Sequence, residues 1–198
     1  VDIAVGCTYK YLNGGPGAPA FIYVSSQQKG LSNPISGWFG SQKPFDFDHQ
    51  SPPAKGIQRF LTGTPHVVSA ALVQPGIELL LEAGMPRVYE KSVMLTERFI
   101  DLCDKKLAKF GFEIVTPLDP ESRGSHVAVS HPEAQAVCLA LLNEQSVIPD
   151  FRPPDLLRFG FAPLYISFAD VDSTVKRIVD VVEGGGIDRW KDKAPLVP

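Results

Sequence analysis

Val1-Asp2-Ile3-Ala4-Val5-Gly6-Cys7-Thr8-Tyr9-Lys10-Tyr11-Leu12-Asn13-Gly14-Gly15-Pro16-Gly17 opens the chain and decides how its fold is read. The first six residues are mostly apolar and read as a strand covered on both faces. Lys10 follows directly, between two tyrosines and ahead of a Gly-Gly-Pro-Gly turn. Ligands in α/β sheets collect at strand ends, and glycines let a backbone approach a ligand closely. Partial desolvation at such a place lowers a lysine's pKa and makes its neutral amine available for a Schiff base. A solvated loop lysine has the same spacing, and on spacing alone that reading is favoured. No Gly-Lys-[Ser/Thr] is present, which excludes a phosphate loop of the Walker type.

Working outward, residues 20–25 read as a second strand. Residues 26–56 are irregular and rich in Gln, Ser, Gly, Pro and Phe, with Gly37-Trp38-Phe39-Gly40 in the middle. A loop of that length in a compact protein is usually functional or covers something. Gly63-Thr64-Pro65 is a helix start, with Thr64 as cap and Pro65 in the first turn. The apolar run from Val67 to Leu81 follows, kinked or split at Pro75 and ended by Gly84. Pro86 opens a second helix striped by Val88, Leu95, Phe99, Leu102, Leu107 and Phe110 and closed by Gly111. Strands are then expected at 112–116, 125–130, 147–151 and within 159–168. Helices are expected at 132–145 and along Val171, Val175, Ile178, Val179 and Val182, ending at Gly184. Strands and helices mixed in this way predict an α/β or α+β module from about residue 112.

Composition sets outer limits. Of 198 residues 44% are hydrophobic and 21% charged, and 19 basic side chains against 22 acidic ones leave a net charge of −3. These values exclude a disordered chain, which would be less apolar and more charged. The balance gives no electrostatic reason to expect nucleic acid. No apolar run approaches the ~18–20 residues of a membrane span. Cys7, Cys103 and Cys138 are widely spaced and odd in number, so a disulfide framework is not expected and a reducing cytoplasm is the simpler setting. His49, His66, His126 and His131 show no i, i+4 pair and none lies near a cysteine, so no metal site is expected. The chain opens inside an apparent strand, and the expectation is a C-terminal portion of a longer protein.

The segment Cys7 to Gly17 resembles the cofactor-lysine segment of kynureninases, pyridoxal-phosphate enzymes of the aspartate aminotransferase fold. The resemblance continues through Gly37-Trp38-Phe39-Gly40, Phe60-Leu61-Thr62-Gly63-Thr64-Pro65, Arg123-Gly124-Ser125-His126 and Arg158-Phe159-Gly160-Phe161-Ala162-Pro163-Leu164-Tyr165. It is colinear over roughly residues 1–183. It implies an α/β fold of type I, with the end of a large parallel-sheet domain followed by a small C-terminal α+β domain. The implied division is 1–85 for the cofactor-binding part with its active-site loops, 86–184 for the small domain with its linking helix, and 185–198 for a polar, loose tail.

The resemblance further implies pyridoxal 5'-phosphate as cofactor, with Lys10 as its Schiff-base lysine and the group that moves protons at the substrate α-carbon. Tyr9 and Trp38 match residues that donate to the cofactor phosphate, and Thr64 matches a position near phosphate or substrate. Arg158 matches the arginine that clamps the substrate α-carboxylate. The implied partners are a small amino-acid substrate and a second copy in a homodimer with shared active sites. The implied reaction is hydrolysis of L-kynurenine or its 3-hydroxy derivative to anthranilate or 3-hydroxyanthranilate and L-alanine. The acid that pairs with the pyridine nitrogen and the aromatic that stacks on the ring belong upstream of Val1, so the 198 residues alone are not expected to form a competent enzyme.

Residue chemistry is compatible with each role and with a plainer one. A guanidinium fork suits a carboxylate, but Arg158 could equally pack its stem and extend its head to water. Trp38 could be a packing aromatic and Thr64 purely a cap, although helix N-termini attract anions as well. For Arg123 and His126 a turn and sheet role is the stronger reading. Two alternatives in function are another lyase of the same fold, such as a cysteine desulfurase, and a non-catalytic dimerisation module. Against the desulfurase, none of the cysteines lies in a recognisable mobile-loop setting.

Overall fold

A computed structural model describes residues 1–48 and 50–193. His49 and the end of the tail, both considered above, lie outside the described residues. The chain forms two compact units, Val1–Glu82 and Ala83–Pro198.

In the first unit, β1 (Ile3–Cys7) pairs antiparallel with β2 (Ala20–Val24), with Val5 opposite Ile22 and Ala4 opposite Tyr23. Among the described residues nothing supplies a cover on both faces of β1: Val5 is 74% exposed, and Ile3, Phe21, Ile22 and Tyr23 are exposed as well. A two-stranded ribbon cannot bury either of its own faces. Every strand pair among the described residues is antiparallel, so none of these pairs belongs to a parallel part of a sheet.

The long irregular segment is tied by its own polar groups. Arg59 Nη1 donates to the Leu31 carbonyl at 2.7 Å, and Asn33 Nδ2 donates to the Arg59 carbonyl at 3.1 Å. A 3-10 turn covers Gly56–Phe60. The helix α1 (Val67–Ala83) begins two residues later than Pro65, with the Ala70 N–H on the His66 carbonyl. Thr64 is therefore not the cap that the sequence suggests. The helix also runs through Pro75 instead of splitting there. Tertiary packing overrides the proline's local cost. Gly76, the next residue, lies so close to Leu12 and Asn13 that a Cβ there would collide with the Leu12 carbonyl.

The second unit starts with α2 (Met85–Lys106). Pro86 sits in its first turn, Lys105 and Lys106 in its last, and Gly111 (φ 88°) adopts the left-handed conformation after the 3-10 turn that follows. The four-stranded sheet has the order β3 (Glu113–Ile114), β4 (His126–Ser130), β6 (Leu156–Gly160), β5 (Asp150–Arg152). The helices are α3 (Ala134–Gln145), α4 (Phe168–Glu183) and α5 (Gly186–Trp190). Ser167 and Asp170 form a reciprocal capping box at the start of α4.

Alternation sends Val127 and Val129 of β4, and Leu157 and Phe159 of β6, into one core with Leu95, Phe99, Val137, Leu141, Val175 and Ile178 of the helices. β5 lies at 150–152 where 147–151 is expected, and two further stretches differ as well. The last strand lies at 156–160, not within 159–168. Arg158 interrupts the apolar run that marks a strand in sequence, and Pro163 forbids its continuation. The tail is not loose at its start, because Glu144 on α3 accepts from Arg189 Nε at 3.0 Å and from Trp190 Nε1 at 2.7 Å. Among the described residues no single helix is long and apolar enough to cross a membrane.

Candidate active site

The lysine loop is pinned at its base. Gly14 N–H donates to the Thr8 carbonyl at 3.0 Å and Asn13 N–H to the Lys10 carbonyl at 2.9 Å. Thr8 is buried, and its hydroxyl donates to the Pro19 carbonyl at 2.5 Å. Asn13 (φ 58°) takes the left-handed conformation that the tight return requires. From this base Tyr9, Lys10 and Tyr11 stand exposed, and Lys10 Nζ lies 5.1 Å from the centre of the Tyr9 ring. Asp2, the acid closest along the strand, accepts from Gln28 Nε2 at 2.9 Å.

Trp38 and Thr64 are 26 positions apart, and the fold brings their neighbourhoods together. Gly37 (φ 55°) is in backbone contact with Thr62, where any Cβ would collide with the Thr62 carbonyl. That close approach sets the Trp38 indole against Gly63, with Nε1 3.9 Å from where a Gly63 Cβ would be. The indole N–H thus lies beside the residue before Thr64. Trp38 also lines a hollow of about 570 Å³ with Asn33, Ser41, Lys43 and Phe47, a hollow whose walls include neither Lys10 nor Thr64.

Arg158 belongs to the second unit. It lies on the face of β6 opposite Leu157 and Phe159, hence on the side of the sheet away from the helices, with Ala128 of β4 as one cross-strand neighbour and Asp150 of β5 as the other. Asp150 Oδ2 accepts from Arg158 Nε at 2.9 Å and also from Arg158 Nη2. Arg152 Nη2 reaches the same oxygen at 3.1 Å. The Arg158 side chain keeps 37% of its surface exposed. Sequence reasoning missed Asp150 and Arg152. Their signal is an Asp-x-Arg pair on a strand that pairs with the arginine's own strand, and it becomes readable only once the register is known.

Arg123 is a structural clip. Its guanidinium is buried, donates to Thr96 Oγ1 at 3.3 Å and to the Leu118 carbonyl, and lies 3.8 Å from Glu97. Among the described residues its Nη2 has no hydrogen-bond partner. His126 is exposed at the start of β4. His131 is buried, with Nδ1 accepting from Glu133 N–H at 3.0 Å and Nε2 facing the Phe110 carbonyl at 3.1 Å. Burial holds its pKa below the ordinary histidine value. Burial also pushes the Cys103 thiol up to about 12 and raises the Cys138 thiol. Cys7 is exposed. Among the described residues no group of three or more His, Cys, Asp or Glu side chains could hold a metal ion.

The fold is that of the type I pyridoxal-phosphate enzymes. A cysteine desulfurase from Thermococcus onnurineus NA1 superposes with a TM-score of 0.74 at 17% identity, over 93% of this chain and 48% of that one. An alanine–glyoxylate aminotransferase from Nostoc sp. gives 0.62 at 18% identity, over 92% and 48%. At such identities the likeness is one of fold.

The likeness in sequence is narrower. Residues 88–178 match the kynureninase C-terminal domain. The kynureninase of Pseudomonas fluorescens is 42% identical over 183 residues, and that of Deinococcus radiodurans 43%, each over 92% of this chain and 44% of the relative. The chain is thus related to the C-terminal portion of kynureninases, and it spans less than half the length of those relatives.

Proposed function

We propose that the chain acts as the C-terminal portion of a cytoplasmic kynureninase of tryptophan catabolism. As such it hydrolyses the Cβ–Cγ bond of L-kynurenine or 3-hydroxy-L-kynurenine, releasing anthranilate or 3-hydroxyanthranilate and L-alanine. The observation that carries the reading is the identity of about two residues in five with kynureninases across 92% of the chain. Cysteine desulfurase is a neighbour at the level of fold alone. For Cys103 and Cys138 a nucleophilic role also disagrees with their raised thiol pKa values.

The donor set fits pyridoxal phosphate. An amine (Lys10), two hydroxyls (Tyr9, Thr64) and an indole N–H (Trp38) are all donors or nucleophiles of the kind an aldehyde and a phosphate dianion require, with no carboxylate among them. The cofactor, when bound, supplies an electron sink for the carbanion at the substrate α-carbon. Lys10 would hold it covalently and would move the proton at that carbon. Tyr9 and Trp38 would donate to its phosphate, and Thr64 would add a hydroxyl near the indole. Arg158 binds the substrate α-carboxylate with its planar fork. A second copy of the chain shares the active site in a homodimer, with Trp38 and Thr64 serving the partner's cofactor.

The test uses the full-length polypeptide that contains this chain, reconstituted with pyridoxal phosphate. Kynurenine hydrolysis and visible-region absorbance are expected, and borohydride reduction with peptide mapping should place the pyridoxyl group on Lys10. A label on Lys29, Lys43 or Lys55, or absence of product formation, overturns the assignment.

A further inference from the structure

We propose that Asp150 is a positioning residue for Arg158, holding one edge of the guanidinium so that the other is presented to the substrate carboxylate. The inference rests on the reading of Arg158 as the carboxylate clamp. A guanidinium offers two bidentate edges, one formed by Nε and an Nη and one formed by the two Nη groups. Asp150 Oδ2 occupies the first, accepting from Nε at 2.9 Å and from Nη2. The edge through Nη1 is left for a second acid. The placement is fixed by the sheet, because Asp150 and Arg158 are cross-strand partners on β5 and β6 and their side chains therefore share one face.

Charge points the same way. Asp150 also takes Arg152 Nη2 at 3.1 Å, so one carboxylate stands between two guanidinium groups. The triad carries one net positive charge, which one incoming carboxylate neutralises. An acid in direct competition with the substrate would instead be expected to face an arginine alone and leave the pair neutral. Orientation is what the arrangement supplies. A long arginine side chain has many rotamers, and a fork already held at one edge loses less freedom when it binds at the other.

The experiment is carried out on the full-length holoenzyme with Asp150→Asn, Asp150→Glu, Arg158→Lys and the double variant Asp150→Asn/Arg158→Lys. Asp150→Asn should raise KM about tenfold, because misplacing a positioning group by about 1 Å costs up to 10²-fold, while kcat changes less than about threefold. Asp150→Glu should recover part of the loss. The decarboxylated substrate amine, used as a competitive inhibitor, should bind Asp150→Asn and the parent enzyme equally well. Adding Asp150→Asn to Arg158→Lys should do little more. An unchanged or lowered KM in Asp150→Asn, with Arg158→Lys impaired, overturns the positioning role and leaves the clamp standing. Equal weakening of the amine and the substrate makes Asp150 merely structural and also overturns it. No effect of Arg158→Lys overturns the clamp and the positioning role together.

Discussion

The two units handle apolar surface in opposite ways. In the second, α2, α3 and α4 close over one face of the sheet, and Leu95, Phe99, Val127, Val129, Leu157 and Ile178 lose almost all contact with solvent. In the first, burial is confined to a few side chains such as Ala54, Val73 and Leu80, while Val5, Phe21, Tyr23, Val68 and Leu72 stay exposed. The second unit has what an independent core needs. The first has apolar side chains of the kind that fill a core, but leaves many of them exposed. The candidate cofactor residues are on this less closed unit and Arg158 is on the more closed one.

The contrast breaks if core deletion fails to hurt the second unit. Phe99→Ala should cost about 3–5 kcal/mol in chemical denaturation, the usual range for removing a fully buried aromatic, since Phe99 packs against both Phe159 and Phe161 at about 5 Å between ring centres. A cost under about 1 kcal/mol would mean that the core is not as closed as its geometry.

Gly37→Ala probes the first unit where its packing is tightest. The substitution forces a side chain into a left-handed position and against the Thr62 carbonyl. The full-length enzyme should then bind pyridoxal phosphate at least about tenfold more weakly, equivalent to ~1.4 kcal/mol, as Trp38 moves off Gly63. Cofactor titration by absorbance measures this, and unchanged affinity would separate Trp38 from the phosphate.

Thiol reactivity sharpens the comparison. At pH 8 native Cys7 should alkylate and Cys103 should stay unmodified, its thiol held near 12 by burial. Peptide mapping after iodoacetamide distinguishes them, and rapid labelling of Cys103 would show the second unit opening.

A smaller effect comes from His131. Its folded pKa lies below the ordinary value, so the unfolded chain binds more protons and stability rises with pH across that window. The contribution is complete above the unfolded pKa of about 6.5 and is lost as pH falls below it. Asp119, Glu144, Asp170 and Asp172, whose hydrogen bonds lower their pKa values, extend the loss to lower pH. Thermal melts of the second unit between pH 7.5 and 5.5 should decline in the parent and decline less in His131→Gln. The least effect is expected on the open ribbon, where Val5→Thr should change the stability of the chain by less than about 0.5 kcal/mol.

Much of this was legible in sequence because it depends on near neighbours. The 3.6-residue stripe of α2, the alternation of Val127 and Val129 and the stripe of α4 are local consequences of burying one face. So are the turn chemistry after Lys10 and the position of that lysine at a strand end. Where local rules were read alone, they failed at identifiable places. Pro75 signals a break, but α1 runs through it from Val67 to Ala83. Thr64 signals a cap, but the helix starts at Val67. Arg158 hid the strand it stands on, because a charge between leucine and phenylalanine looks like the end of an apolar run.

What the sequence by itself determined, then, is the set of residue types and the elements that carry them: a lysine on a tight loop, a glycine-flanked tryptophan, an arginine between apolar neighbours. Only the tertiary structure decided which of them meet. Trp38 and Gly63 come together because Gly37 permits a backbone approach that no side chain would allow. Asp150 reaches Arg158 because two antiparallel strands share one register. Such contacts between residues distant in the chain are set by packing and strand pairing, whose geometry depends on many residues at once and leaves no periodic mark on the sequence between them.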